Sequence, residues 1–135
     1  MEPRRVIEGY YSNLENPPVP VIPLKIFPPT RSKHIVVEAK LDTGFSGPLL
    51  LTPENYLSLG LHLYESTENV VGLIAGGYRV ELRVSRGIVE LGKTSVPVEI
   101  YTAVFVKKNI IGRQLLNEFK VVLNAKNGKV LLENP

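Results

Sequence analysis

Short runs of aliphatic and β-branched residues, punctuated by glycine and proline, dominate the chain from Val19 onward. Val19–Phe27 (VPVIPLKIF) reads as a strand whose prolines remove ladder donors and confine it to a sheet edge or a bulge. After a Pro-Pro-Thr-Arg-Ser turn, residues 34–41 (HIVVEAKL) form a second strand-like run that leads directly into Asp42. Residues 49–51 are three leucines, consistent with a short buried strand. Thr52 suits an N-cap, Pro53 a first helical position and Gly60 a stop, which predicts a short surface helix over 53–59. Residues 70–74 and 78–84 read as strands on either side of Ala75, Gly76 and Gly77, a glycine-containing hairpin tip. Residues 87–91 and 96–106 continue the strand pattern, and 113–119 can form about two helical turns after Gly112. Asn127-Gly128, a strong two-residue hairpin signal, lies between strand-like residues 119–125 and Lys129–Glu133. The pattern predicts an all-β fold with two short helices, closed or partly closed as a barrel. Residues 1–18 are polar, end in Asn16-Pro17-Pro18, and read as a lead-in arm before a domain at 19–135.

The composition narrows the chemistry. At 135 residues there is one domain's worth of core and not two. Hydrophobic residues at 44% and charged residues at 21% are ordinary for a soluble globular protein. Without cysteine there is no disulfide framework, thiolate metal site or cysteine nucleophile. No apolar run approaches the roughly 20 residues that span a bilayer, so no membrane partner is expected. The opening MEPRR lacks the apolar core of a secretory signal, and a cytoplasmic protein is the expectation. The sixteen Lys and Arg give a net charge of +3 but are scattered, with Arg4-Arg5 and Lys107-Lys108 the only adjacent pairs. A basic stripe interleaved with aromatics is missing, and no nucleic-acid partner is expected. Of thirteen acidic residues only Asp42 is an aspartate, so chemistry that needs two aspartates must take the second from another chain.

Asp42 stands at the end of an apolar run in Ala39-Lys40-Leu41-Asp42-Thr43-Gly44-Phe45-Ser46-Gly47. This spacing puts a carboxylate at a strand-to-loop corner, with Gly44 permitting close approach of another backbone. The bare triplet also fits an ordinary Asx turn. Downstream, Asn109-Ile110-Ile111-Gly112-Arg113-Gln114-Leu115-Leu116 places two apolar residues, Gly and Arg before a helix. Together the two segments, with the glycine-tipped hairpin between them, resemble the retropepsins, the retroviral-type aspartic proteases, and more closely their cellular and microbial relatives. The resemblance runs from about Val19 to Glu133.

The resemblance implies a closed-barrel acid-protease fold that functions as a homodimer, and an endopeptidase acting on extended polypeptide. Asp42 becomes the catalytic carboxylate, and Thr43 hydrogen-bonds across the dimer axis to lock the two loops together. Gly44 offers its carbonyl to substrate. Ala75, Gly76 and Gly77 match the flap tip, and Tyr78 beside it lines the cleft. Ile111 and Gly112 pack beneath the active-site loop, which Arg113 braces. The chemistry is self-sufficient: two carboxylates roughly 3 Å apart share one proton, and no metal or cofactor is implied. The sequence departs from the retroviral pattern at Ser46, which stands where an aspartate pairs with the arginine, and at both termini, which leaves the dimer sheet undefined. His34 and His62 lack metal-ligand spacing, and Ser46 has no paired histidine. The other reading is a module of the same fold that holds peptide or protein with weak or no catalysis.

Overall fold

The computed structural model describes residues 6–66, 70–73 and 79–134. Strand alternation builds its centre. In β2 (Val19–Phe27) Ile22, Leu24 and Ile26 face inward and are buried, and in β3 (Ile35–Leu41) Val37 and Ala39 do the same. These strands pair antiparallel from Val21↔Lys40 to Ile26↔Ile35. The remaining strands are β1 (Val6–Ser12), β4 (Leu49–Leu50), β5 (Val70–Leu73), β6 (Arg79–Leu91), β7 (Thr94–Thr102), β8 (Ile110–Ile111), β9 (Lys120–Asn124) and β10 (Lys129–Glu133). All join one ten-stranded sheet in the order β5-β6-β7-β4-β8-β3-β2-β1-β10-β9. A further pairing of β2 with β6, Lys25↔Glu90 to Phe27↔Ile88, brings the order from β6 to β2 back on itself. Among the described residues the fold is mostly β-sheet with two short helices, α1 (Pro53–Ser58) and α2 (Arg113–Leu116), as the pattern of the chain predicts.

One core fills the interior, with Ile22, Leu24, Ile26, Leu49, Leu51, Tyr56, Ile100, Ile111 and Leu132 essentially without exposure. A smaller cluster of Leu82, Ala103 and Val106 lies near the start of β6. Helix α1 begins as expected: the Thr52 hydroxyl accepts the Asn55 N–H at 3.4 Å, and Gly60, at φ +70, ends the segment before a 3-10 turn at Leu61–Tyr64. Helix α2 is one turn rather than two.

Several expectations change. Residues 79–91 form the single long strand β6, where the sequence suggested two. The stretch expected as a lead-in arm contains β1, which lies between β2 and β10. It fits because Gly9 has no side chain: a Cβ there would lie 2.0 Å from the Val21 carbonyl oxygen. After β1 the chain turns, and Glu15 forms ion pairs with Lys40, at 3.3 Å, and with Lys108. The proline-rich β2 is interior to the sheet, not at its edge. The Val21 carbonyl points toward β1, so by alternation the Pro23 nitrogen faces that same flank. There β1 pairs only with residues 19–21 and β6 only with 25–27, so Pro23 sits in a gap where no donor is required. Among the described residues no helix is long and apolar enough to cross a membrane.

The root of the β5–β6 pair is tied to α1 by a polar knot. The buried Tyr56 hydroxyl donates to Glu65 Oε2 at 2.7 Å, and Arg83 on β6 grips both oxygens of the same carboxylate through Nε (2.7 Å) and an Nη (2.9 Å). Burial and the Glu65 hydrogen bond raise the Tyr56 pKa far above that of a free phenol. Burial works against the Glu65 carboxylate, but the hydrogen bonds from Arg83 and Tyr56 outweigh it and lower its pKa. A lowered carboxylate pKa gives stability that is present above the unfolded value and lost as pH falls through the folded one. Tyr56→Phe removes one bond of this knot and should cost about 1 kcal/mol in denaturant unfolding at neutral pH, with the cost shrinking in acid as Glu65 protonates.

Candidate active site

Asp42 follows the last residue of β3, and its position is set by β8. That two-residue strand runs parallel to β3 (Lys40↔Ile110, Leu41↔Ile111) and antiparallel to β4 (Leu49↔Ile111, Leu50↔Ile110). The chain therefore leaves β3, crosses the end of β8 through residues 42–48, and returns as β4 on the far side. Backbone bonds fix the crossing at both ends. Lys40 N–H donates to the Asn109 carbonyl at 2.8 Å and Asp42 N–H to the Ile111 carbonyl at 3.0 Å. Gly112 N–H donates to the Pro48 carbonyl at 3.0 Å, and Arg113 N–H to the Phe45 carbonyl at 2.9 Å.

Gly112 is required here by space. Its backbone is extended, a conformation open to any residue, but a Cβ would stand 2.2 Å from the Gly47 carbonyl oxygen and 2.7 Å from that of Phe45. Ile111, fully buried in the core, holds this contact from beneath.

Within the loop the Gly44 N–H donates to Asp42 Oδ1 at 2.8 Å, and the Phe45 N–H to the Asp42 carbonyl at 3.2 Å. The Asx turn that the bare triplet suggests is thus present, and it orients the carboxylate. Asp42 Oδ2 has no hydrogen bond among the described residues. Asp42 is partly exposed, and Thr43 and Gly44 beside it are exposed. The loop presents an oriented carboxylate at the surface of a single chain.

The structure gathers Asp42, Thr43, Gly44, Ile111, Gly112 and Arg113 at one corner. Arg113 supports the loop through its backbone N–H; its side chain is exposed and, among the described residues, forms no ion pair. Ser46 is exposed as well. Ala75, Gly76, Gly77 and Tyr78 lie outside the described residues; the antiparallel pairing of β5 with β6, Val70↔Leu82 to Leu73↔Arg79, leads into and out of them. Among the described residues no group of three acidic or histidine side chains could hold a metal, and His34 instead lies 5.6 Å from the Phe27 ring. A groove of about 600 Å³ between β6–β7 and α2, lined by Leu91, Val96, Val98, Leu115 and Phe119, does not include Asp42.

Two supporting residues were not singled out from the sequence. Asn109 Oδ1 accepts the Thr52 N–H at 3.1 Å and Asn55 Nδ2 at 3.2 Å, so one side chain ties the start of α1 to β8. Its only signal was its place before the two isoleucines. The Phe45 ring meets Tyr101 edge-on at 6.0 Å and crowds the space a Gly112 Cβ would need. An aromatic between two glycines is the corresponding sequence cue.

No family model matches the chain, and no curated protein matches it in sequence. Solved structures do. A retropepsin-like aspartic protease from Rickettsia conorii superposes with a TM-score of 0.67 at 17% identity, over 98% of this chain and 94% of that one. The EIAV protease in an inhibitor complex gives 0.56 at 23% identity, over 83% and 98%. The retroviral protease-like domain of Ddi1 from Leishmania major gives 0.52 at 16%, over 87% and 92%. The chain has the fold of the retropepsin-like aspartic proteases.

The Gly112 contact makes a sharp test of the site. Gly112→Ala should destabilise the chain by about 3 kcal/mol in denaturant unfolding, because backbone oxygens cannot yield as a flexible side chain would.

Proposed function

We propose that the chain is one half of a homodimeric aspartic endopeptidase, in which Asp42 and the Asp42 of a second copy form the catalytic dyad. The observation that carries this reading is an oriented, partly exposed carboxylate on the corner loop of a retropepsin-like fold, in a chain that contains no other aspartate.

Two carboxylates brought to roughly 3 Å cannot both ionise, so the pair holds one proton. The ionised member removes a proton from water as the water oxygen attacks the scissile carbonyl carbon. The protonated member donates to the carbonyl oxygen, and the resulting tetrahedral diol collapses as a proton passes to the amide nitrogen and the C–N bond breaks. The Gly44 N–H keeps one Asp42 oxygen fixed through this exchange, which preserves the orientation of the other. Thr43, exposed beside it, is the residue we assign to the contact between the two loops. In this reading Gly44 offers its carbonyl to the bound peptide, and Ala75, Gly76, Gly77 and Tyr78 serve as the flap.

Asp42→Asn keeps the shape but cannot share the proton, so it should abolish peptide cleavage while leaving the circular-dichroism spectrum unchanged. If wild-type and Asp42→Asn chains exchange fully, residual activity should follow the square of the wild-type fraction; a linear dependence would mean that each chain works alone. Activity should also peak in the acid range with two limbs that belong to the pair, since a doubly protonated dyad has no base and a doubly ionised one no acid. A dimer that binds unfolded polypeptide without cleaving it would instead identify a binding module.

A further inference from the structure

Strand β3 carries a second polar feature beside the candidate catalytic carboxylate. Val37, Ala39 and Leu41 face the core, so Glu38, Lys40 and Asp42 share the opposite face. Lys40 therefore stands one pleat, about 7 Å, from Asp42. Its side chain lines a pocket of about 200 Å³ between the start of β2, the turn after β1 and residues 107–109. The Lys40 N–H donates to the Asn109 carbonyl at 2.8 Å, which keeps Lys108 beside Lys40.

A carboxylate already occupies this pocket. Glu15 lies between the two ammonium groups: Oε1 accepts from Lys40 Nζ at 3.3 Å, and Oε2 pairs with Lys108 Nζ. The hydrogen bond from Lys108 chiefly, with that from Lys40, lowers the Glu15 pKa against the opposing effect of burial. The chain around it is open. Residues 13, 14 and 16–18 are all exposed, Leu14 at 91%, so the turn has little packing to hold it in place. Ion pairs between partly exposed groups are weak, and a second carboxylate can exchange with Glu15 at little cost.

The lining favours such a ligand. Lys40, Lys107 and Lys108 stand against Glu15 and Glu38, and Glu38 is already engaged by the Tyr10 hydroxyl, whose pKa it raises. An extended peptide repeats its side chains on one face about every 7 Å, the interval that separates Asp42 from Lys40. A peptide with its reacting bond at Asp42 thus presents a nearby side chain to the pocket without bending.

We propose that this pocket is a subsite for a glutamate side chain of the bound polypeptide, held by Lys40 and Lys108 in the place of Glu15. The inference rests on the peptidase reading of Asp42 and adds what the substrate carries near the reacting bond. Its test uses two labelled pools of random-sequence peptides, identical except for a central position fixed as Glu or as Gln. Binding to the Asp42→Asn chain is read by fluorescence anisotropy at neutral pH, where no cleavage interferes. The Glu pool should bind about threefold more tightly than the Gln pool. Adding Glu15→Gln removes the internal competitor, so it should widen that preference by about threefold again and leave Gln-pool binding unchanged. Lys40→Gln with Lys108→Gln should abolish the preference. A gain on Glu15→Gln cannot come from misfolding, and a turn merely loosened would shift both pools alike. No Glu preference, a preference that Glu15→Gln does not widen, or no binding of either pool overturns the subsite. Wild-type chains that cleave both pools equally overturn it too, and leave the dyad untouched. A Glu preference in binding, with neither pool cleaved by the wild type, supports the subsite and refutes the catalytic reading instead.

Discussion

The candidate site depends on one close approach: the backbone of Ile111 and Gly112 against the loop that carries Asp42. Strand β8 is only two residues long, yet it lies between the strands on either side of that loop and supplies the carbonyl that receives the Asp42 N–H. The contact works because Gly112 has no side chain to separate the two backbones. Burial of Ile111 keeps the strand from moving, and the Asn109 side chain links it to α1. The carboxylate is thus oriented by main-chain geometry, which tolerates wide variation in the surrounding side chains. That tolerance is consistent with matching folds at 16–23% identity.

A second consequence of this construction is the division of labour at the loop. Residues buried beneath it (Ile111, Gly112) are structural, and those exposed on it (Thr43, Gly44) are free to meet other molecules. Arg113 belongs with the first group through its backbone alone. Its side chain is exposed, and the loop offers no carboxylate other than Asp42 to pair with it. The Phe45 ring packs over the glycine and against Tyr101, whose phenol burial and the Glu99 hydrogen bond push up to about 12.

Much of this was legible in the sequence because strong local signals agreed with the global fold. Val19–Phe27 and Lys129–Glu133 appear with the expected bounds, and Thr52, Pro53 and Gly60 act as cap, first turn and stop. What was not legible has physical reasons. Strand β8 is too short to show a period and is defined only by its neighbours. Strand β1 is interrupted by Gly9, a residue that weakens a strand pattern yet is the one that lets β1 lie against Val21. The interior position of β2 could not be read because Pro23 is tolerated by a gap between two short partners, a property of the tertiary arrangement alone.

The dependence of Asp42 on Ile111 and Gly112 also bears on how the chain is made. The partners in this contact come from opposite halves of the sequence, and such non-local pairings form late in folding because the intervening chain must first be ordered. During synthesis the Asp42 loop leaves the ribosome long before the strand that shapes it. A nascent or truncated chain that stops before Gly112 carries the aspartate but not the geometry. Such a chain still has the local turn from Gly44 to Asp42, but it lacks the β8 backbone that fixes where the loop stands.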